Sequence, residues 1–356
     1  MIISSEVMLI TALLFSIIMG YGLNAFLLNR PIKFLLKKTN ISAIRWSSQS
    51  KPIFGGITFY SLFITGFLAY ILIIDQAVAF DSRYIALFIV VTLAFFMGLA
   101  DDIINTPPVF KFIVQILIAV ILISFDVFIR ISPYPVLNYA ITIFWVIGIM
   151  NSINMLDNMD SVANLVSISV FAGAFVLLLA DKGINGFMPF ILLFVIGACL
   201  SFLMFNWHPS KMYMGDNGSQ FIGAVLAFAG IVCFWNSIPQ ETVSYGLNSK
   251  QFIVVLLAFI VPISDTATVS INRILRGQSP FIGGRDHTTH YLVYAGLSDR
   301  KVAALLFFIN LLSVAIACCV IFAISNWSPK WFWLFFAWFL LIFAGLFTLT
   351  KIVKQK

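Results

Sequence analysis

Eleven apolar runs dominate this chain, near 7–28, 56–75, 84–100, 109–126, 136–151, 162–180, 187–205, 219–236, 251–270, 302–324 and 331–350. A helix needs about 20 such residues to cross the hydrocarbon core of a bilayer. Inside that core the backbone must satisfy its own hydrogen bonds, which a helix does within one segment. The expected fold is therefore an all-α polytopic membrane protein of about 11 transmembrane helices. Composition agrees: 10% of residues are charged, where a soluble domain carries about 25%. The 356 residues contain no repeat, low-complexity stretch or linker, so 1–356 reads as a single integral membrane domain. The first run has no basic stretch before it and no small-residue cleavage site, and is expected to remain as a helix.

Basic residues give the orientation. Sixteen of the 21 fall on one side of the spans, and five (Arg83, Arg130, Lys182, Lys250 and Lys330) on the other. The richer side is expected to be cytoplasmic, with the N-terminus outside and the C-terminus inside. The net charge of +7 flanks the spans, so it suits topology and anionic lipid rather than nucleic acid. Cys199, Cys233, Cys318 and Cys319 lie within apolar runs and read as structural.

Topology does not explain the acidic residues. Asp101, Asp102, Asp157, Asp160, Asp216, Asp265, Asp286 and Asp299 all fall on the cytoplasmic side, together with His208, His287 and His290. Charges at a membrane boundary are costly unless paired, metal-bound or functional. They lie in or beside five polar stretches. Lys51-Pro-Ile-Phe-Gly55-Gly56 allows close backbone approach. Gly98-Leu-Ala-Asp101-Asp102 ends the third span, with Lys111 ten residues on. In Asn151-Ser-Ile-Asn154-Met-Leu-Asp157-Asn158-Met-Asp160-Ser161, helical spacing would put 154, 157 and 161 on one face. Phe205-Asn206-Trp207-His208 through Gly215-Asp216-Asn217-Gly218-Ser219 leads into the eighth span, where a carboxylate at a helix start can hold a divalent cation against phosphate. Tyr213, in that stretch, could stack on a base. The fifth stretch, 271–301, carries Arg273, Arg276, Arg285, Asp286, His287 and His290, which suit anion recognition. Together these groups point to phosphoryl transfer between a soluble nucleotide and a lipid phosphate. The basic and apolar segment 31–46 reads as an interfacial helix.

These stretches, in order and on one face, resemble the polyprenyl-phosphate N-acetylhexosamine-1-phosphate transferases over residues 51–292. The resemblance implies a bacterial, multi-pass enzyme of the cytoplasmic membrane. It would move a sugar-1-phosphate from a UDP-sugar to undecaprenyl phosphate, release UMP and begin a lipid-linked cell-surface glycan. Asp101, Asp102 and Asp216 would be catalytic, and Mg²⁺ (with Mn²⁺ as alternative) would sit at Asp216 near Asn154. Lys51, Lys111, Asn154, Asp157, Asp160, Tyr213, Arg285, His287 and His290 would bind substrate, with Asp160 and Tyr213 at the uracil. A charged His287 or His290 on the diphosphate would make binding weaken as pH rises through the imidazole range.

Two positions depart from the family pattern: Asn158 and Ser161 stand where D-G-x-D-G has glycines, so a side chain narrows the nucleotide pocket or changes the turn. Asp286-His287-Thr288-Thr289-His290 lacks the consecutive histidines usual in the peptidoglycan-precursor branch, which favours a UDP-N-acetylglucosamine donor. A transporter and an inactive paralogue are the alternatives, and a homodimer is left open.

Overall fold

The computed structural model describes residues 5–30, 51–74, 81–182, 186–238, 249–280 and 284–354. The interfacial segment 31–46 lies outside them. The described residues form α1 (Ser5–Asn29), α2 (Gly55–Ala69), α3 (Ser82–Ile104), α4 (Pro108–Ser124), α5 (Pro135–Leu156), α6 (Val162–Lys182) and α7 (Phe187–Asn206). They continue with α8 (Gly215–Ala229), α9 (Ser249–Ala258), α10 (Ile260–Leu275), α11 (Thr288–Tyr294), α12 (Asp299–Ala323) and α13 (Pro329–Ile352). No strand occurs among the described residues; Ile53 and Tyr213 form one isolated bridge.

Each of the eleven expected spans is helical. Among the described residues, nine helices are long and apolar enough to cross a membrane, and α4, at 17 residues, is a shorter apolar helix. The ninth span is the departure, because α9 and α10 meet at an 85° bend. Pro262 explains the break: it has no N–H to give the carbonyl four residues back, and its ring crowds that carbonyl. The carbonyl belongs to Ala258. Asn310 of α12 donates to it at 3.3 Å and accepts from the Val261 N–H at 3.3 Å, so both stranded backbone groups are met by one buried side chain.

The most enclosed helix is α8, packed against α2, α3 and α5. Aromatic side chains fill the layer between α2, α7 and α8: Phe59 meets Phe202 edge-on at 5.1 Å, and Phe63 meets Phe221 at 5.8 Å. The opposite case is α13, where only Leu346 and Thr350 are buried and Trp333, Leu334, Leu340 and Leu341 face outward; Phe144 of α5 is likewise 79% exposed. Such outward apolar surface suits lipid as the solvent.

Polar contacts collect at the two ends of the bundle. At one, Arg130 pairs with Asp126 at 2.8 Å, Asn236 caps the 128–130 segment, and Lys250 donates to the Ile324 carbonyl. Asp126 therefore belongs to that end and not to a mid-membrane path. The other end holds the five stretches.

Candidate active site

Two helix ends and two helix starts meet around a single ammonium. Lys111, in the first turn of α4, lies 2.6 Å from Asp101 Oδ2 at the end of α3 and 2.6 Å from Asp216 Oδ2 at the start of α8. Pro107 and Pro108 make this possible, since Asn105 ends α3 in the left-handed conformation (φ 54°) and proline suits the first turn of a helix. Thr106 donates to Asp101 Oδ1 at 2.6 Å. From α5, Asn154 donates to Asp216 Oδ1 at 3.1 Å and to Ser219 Oγ at 2.8 Å. Its amide nitrogen, rather than its oxygen, thus faces Asp216.

Asp102 has a different task. Its two oxygens accept the backbone N–H groups of Asp216 (3.0 Å) and Asn217 (2.9 Å) and the Asn217 side-chain amide (2.7 Å). Met214, the residue before α8, offers no capping side chain, so Asp102 caps α8 from a neighbouring helix. Gly215 adopts φ +77°, where a Cβ would strike Ile53 and crowd Asp102. Gly98 lies directly against the Asp216 backbone, so α3 and α8 approach closely beside the site.

Asp160 does not present a free carboxylate. Ser210 donates to it through N–H (3.0 Å) and Oγ (2.7 Å), and His208 Nδ1 lies 3.0 Å away. Lys51 reaches Ser210 Oγ at 3.1 Å and sits over the Tyr213 ring at 5.2 Å. Asp160, Lys51 and Tyr213 lie together, and Asp160 also holds the 207–214 loop. Asp157 lies half-buried at the end of α5.

The fifth stretch folds around two buried carboxylates. Asp265 of α10 accepts from Thr288 N–H (2.9 Å) and Oγ1 (2.6 Å), with His287 Nδ1 at 3.0 Å. Asp286 is gripped by Arg273 (2.7 and 3.0 Å) and Arg276 (2.6 Å). Burial alone would raise the Asp286 carboxyl; the hydrogen bonds and charge of Arg273, with Arg276, outweigh it and hold the group below its ordinary value. Burial, then the charge of His287, pushes His290 down to about 3. The expectation of a charged His290 is therefore corrected: it is neutral at physiological pH, and its Nδ1 accepts from the His287 N–H at 3.3 Å. Arg285 is exposed at the rim.

The two departures from the family pattern have structural work. Ser161 takes φ +69°, a glycine-type conformation, and is pinned by Asn206, whose Oδ1 accepts its N–H (2.9 Å) and whose carbonyl accepts its Oγ (2.8 Å). Asn158 accepts from Thr289 Oγ1 at 2.7 Å, which ties the loop after α5 to the start of α11. Thr106, Thr289 and Asn206 were not foreseen as partners; only their nearness to motif residues hinted at them.

The two carboxylates at Lys111 leave that cluster net negative, with hard oxygen donors. No group of three His, Cys, Asp or Glu close enough to hold a metal occurs among the described residues. That donor set fits Mg²⁺, which takes one or two protein carboxylates and completes its shell with water and substrate phosphate.

Comparison with known proteins shows what the chain is similar to. Residues 84–234, the stretch from α3 into α8, match the model described as glycosyl transferase family 4. This stretch of the chain is similar to glycosyl transferase family 4. It is 25% identical to a probable undecaprenyl-phosphate N-acetylglucosaminyl 1-phosphate transferase of Bacillus subtilis, over 86% of this chain and 82% of that relative. It is 27% identical to a decaprenyl-phosphate N-acetylglucosaminephosphotransferase of Mycolicibacterium smegmatis, over 73% and 69% of the two chains. A phospho-N-acetylmuramoyl-pentapeptide-transferase of Staphylococcus carnosus is 28% identical over 74% and 82%.

Proposed function

We propose that this protein transfers N-acetylglucosamine-1-phosphate from UDP-N-acetylglucosamine to undecaprenyl phosphate and releases UMP, starting a lipid-linked cell-surface glycan. The observation that carries the reading is the Asp101–Lys111–Asp216–Asn154 constellation at one end of a membrane bundle. Its placement at a membrane boundary suits one substrate held in lipid and one arriving from water. The richer share of basic residues at this end supports a cytoplasmic location in a bacterial inner membrane.

A phosphate oxygen of the acceptor attacks the sugar-bearing phosphorus of the donor. The bond from that phosphorus to the bridging oxygen breaks, and UMP leaves with the bridging oxygen. One phosphoanhydride replaces another, so catalysis consists of alignment and charge neutralisation. Lys111 supplies a cation already placed between Asp101 and Asp216. Asp216 and Asp101, with Asn154 in support, would hold Mg²⁺, which when bound would neutralise phosphate oxygens. Asp102 keeps Asp216 in place through the α8 backbone. Lys51 and Tyr213 stand where the nucleotide would enter, and Arg285 and His287 where its diphosphate would lie.

The test is UMP release by the purified protein given undecaprenyl phosphate, Mg²⁺ and a panel of UDP-sugars. Release with UDP-N-acetylglucosamine, abolished by EDTA, is expected. Protein that binds UDP yet releases UMP from no donor would contradict the reading and favour an inactive paralogue.

A further inference from the structure

Directly beneath the constellation lies a second, uncharged one. Gln115 is one turn from Lys111 on α4, Asn151 one turn from Asn154 on α5, and Gln220 one turn from Asp216 on α8. Asn151 Nδ2 donates to Gln115 Oε1 at 2.8 Å, and Gln115 Nε2 donates to Gln220 Oε1 at 3.2 Å. Gln115 is 1% and Gln220 0% exposed. The three helices that deliver Lys111, Asn154 and Asp216 are thus tied one layer deeper by a relay of amides.

The tie matters most for α4. Its other polar attachment to α8 is the Lys111 ammonium itself. Much of α4 faces outward, with Val109, Phe110, Phe112, Ile113, Leu117 and Val120 exposed. Its buried residues are Gln115, Ile118, Ala119 and Leu122, and only Gln115 among them is polar. Apolar packing tolerates small sliding and rotation of such a helix, whereas a side chain that must meet one donor and one acceptor at fixed geometry does not. Without the amide tie, the end of α4 that bears Lys111 would be held only by apolar contacts and by the ion pairs of Lys111 itself.

We propose that Gln115, tied to Asn151 and Gln220, is the positioning residue that sets Lys111 between the carboxylates of Asp101 and Asp216. Its catalytic consequence rests on the function proposed above; its geometric consequence does not. Gln115 touches no reacting atom and acts through Lys111.

Acetylation of lysines in the full-length, detergent-solubilised protein, followed residue by residue with mass spectrometry, reads the geometry without turnover. The variants are Gln115→Met and Gln220→Met, each of which removes the amide and keeps most of the volume. Lys250, 8% exposed at the opposite end of the bundle, reports general loosening. In both variants Lys111 should acetylate several-fold faster than in the wild type while Lys250 holds its rate. UMP release should fall about tenfold, the scale of one lost buried hydrogen bond. A Lys111 rate unchanged in both variants, or one that rises only in step with Lys250, would overturn the proposal. A wild-type protein that releases no UMP, with Lys111 nevertheless exposed by the substitutions, would refute the function and leave the positioning role standing.

Discussion

Asp216 is the residue on which the site turns, because it accepts from both Lys111 and Asn154 and starts the buried helix. Asp216→Asn should lower turnover by about a hundredfold or more, because it weakens the hold on the Mg²⁺ that would neutralise the phosphates, with the solubilised protein otherwise intact by size exclusion. Ser161 offers a stability test. Its left-handed backbone costs about 1–2 kcal/mol relative to glycine, while its Oγ bond to Asn206 returns about 1 kcal/mol. Ser161→Gly should therefore leave the melting temperature nearly unchanged, whereas Ser161→Val, with a branched side chain at positive φ and no hydroxyl, should lower it by several degrees. His290 sets a pH dependence. Its folded pKa of about 3 lies below the ordinary value of 6.5, so between those values the unfolded chain binds a proton that the folded one does not. Stability from this group is complete above pH 6.5 and declines as pH falls toward 3. Denaturation midpoints measured from pH 7.5 to 4.5 should decrease, and less steeply in His290→Gln. Donor binding, by contrast, should show no titration from His290 between pH 6 and 8.

At the level of elements, the helices were legible because apolar length is a strong signal in a membrane chain, and the motif residues because charge is rare in it. The bend between α9 and α10 was not, although Pro262 was visible. A proline in the first turn of a helix and one that breaks a span look alike until the partner of the stranded carbonyl is known. That partner, Asn310, sits 52 residues away. Asp102 was legible as a site residue but not in its role, since capping α8 from α3 depends on how two distant segments pack. Asp160 was legible as a site residue, but its hold on the 207–214 loop was not. The amide relay stayed hidden because Gln115 and Gln220 are single polar residues inside apolar runs. Asn310→Leu should cost about 1–3 kcal/mol by leaving buried backbone groups unmet, seen as a lower thermal midpoint in detergent. Unchanged stability would mean that the bend is held by packing alone.

For the whole molecule, the arrangement sorts chemistry to one end of the bundle and leaves the sides to lipid. The acidic groups that look excessive in sequence become pairs: Asp101 and Asp216 with Lys111, Asp286 with two arginines, Asp265 with His287 and Thr288. The account requires the end bearing these groups to face the cytoplasm. A cysteine introduced at Lys211 should react with a membrane-impermeant maleimide only in inside-out vesicles, and one at Lys330 only in right-side-out vesicles or intact cells. The most direct test of the chemistry follows the phosphorus that the mechanism says must move. Purified protein would be given undecaprenyl phosphate and UDP-N-acetylglucosamine labelled with ³²P in the phosphate next to the sugar. The label should pass into the organic-soluble lipid, leave UMP unlabelled, and stay in the donor with Asp216→Asn. Label recovered as UDP beside an unlabelled glycolipid would mean that the sugar moves without its phosphate, and the assignment of Asp101, Lys111 and Asp216 to phosphoryl transfer would be wrong.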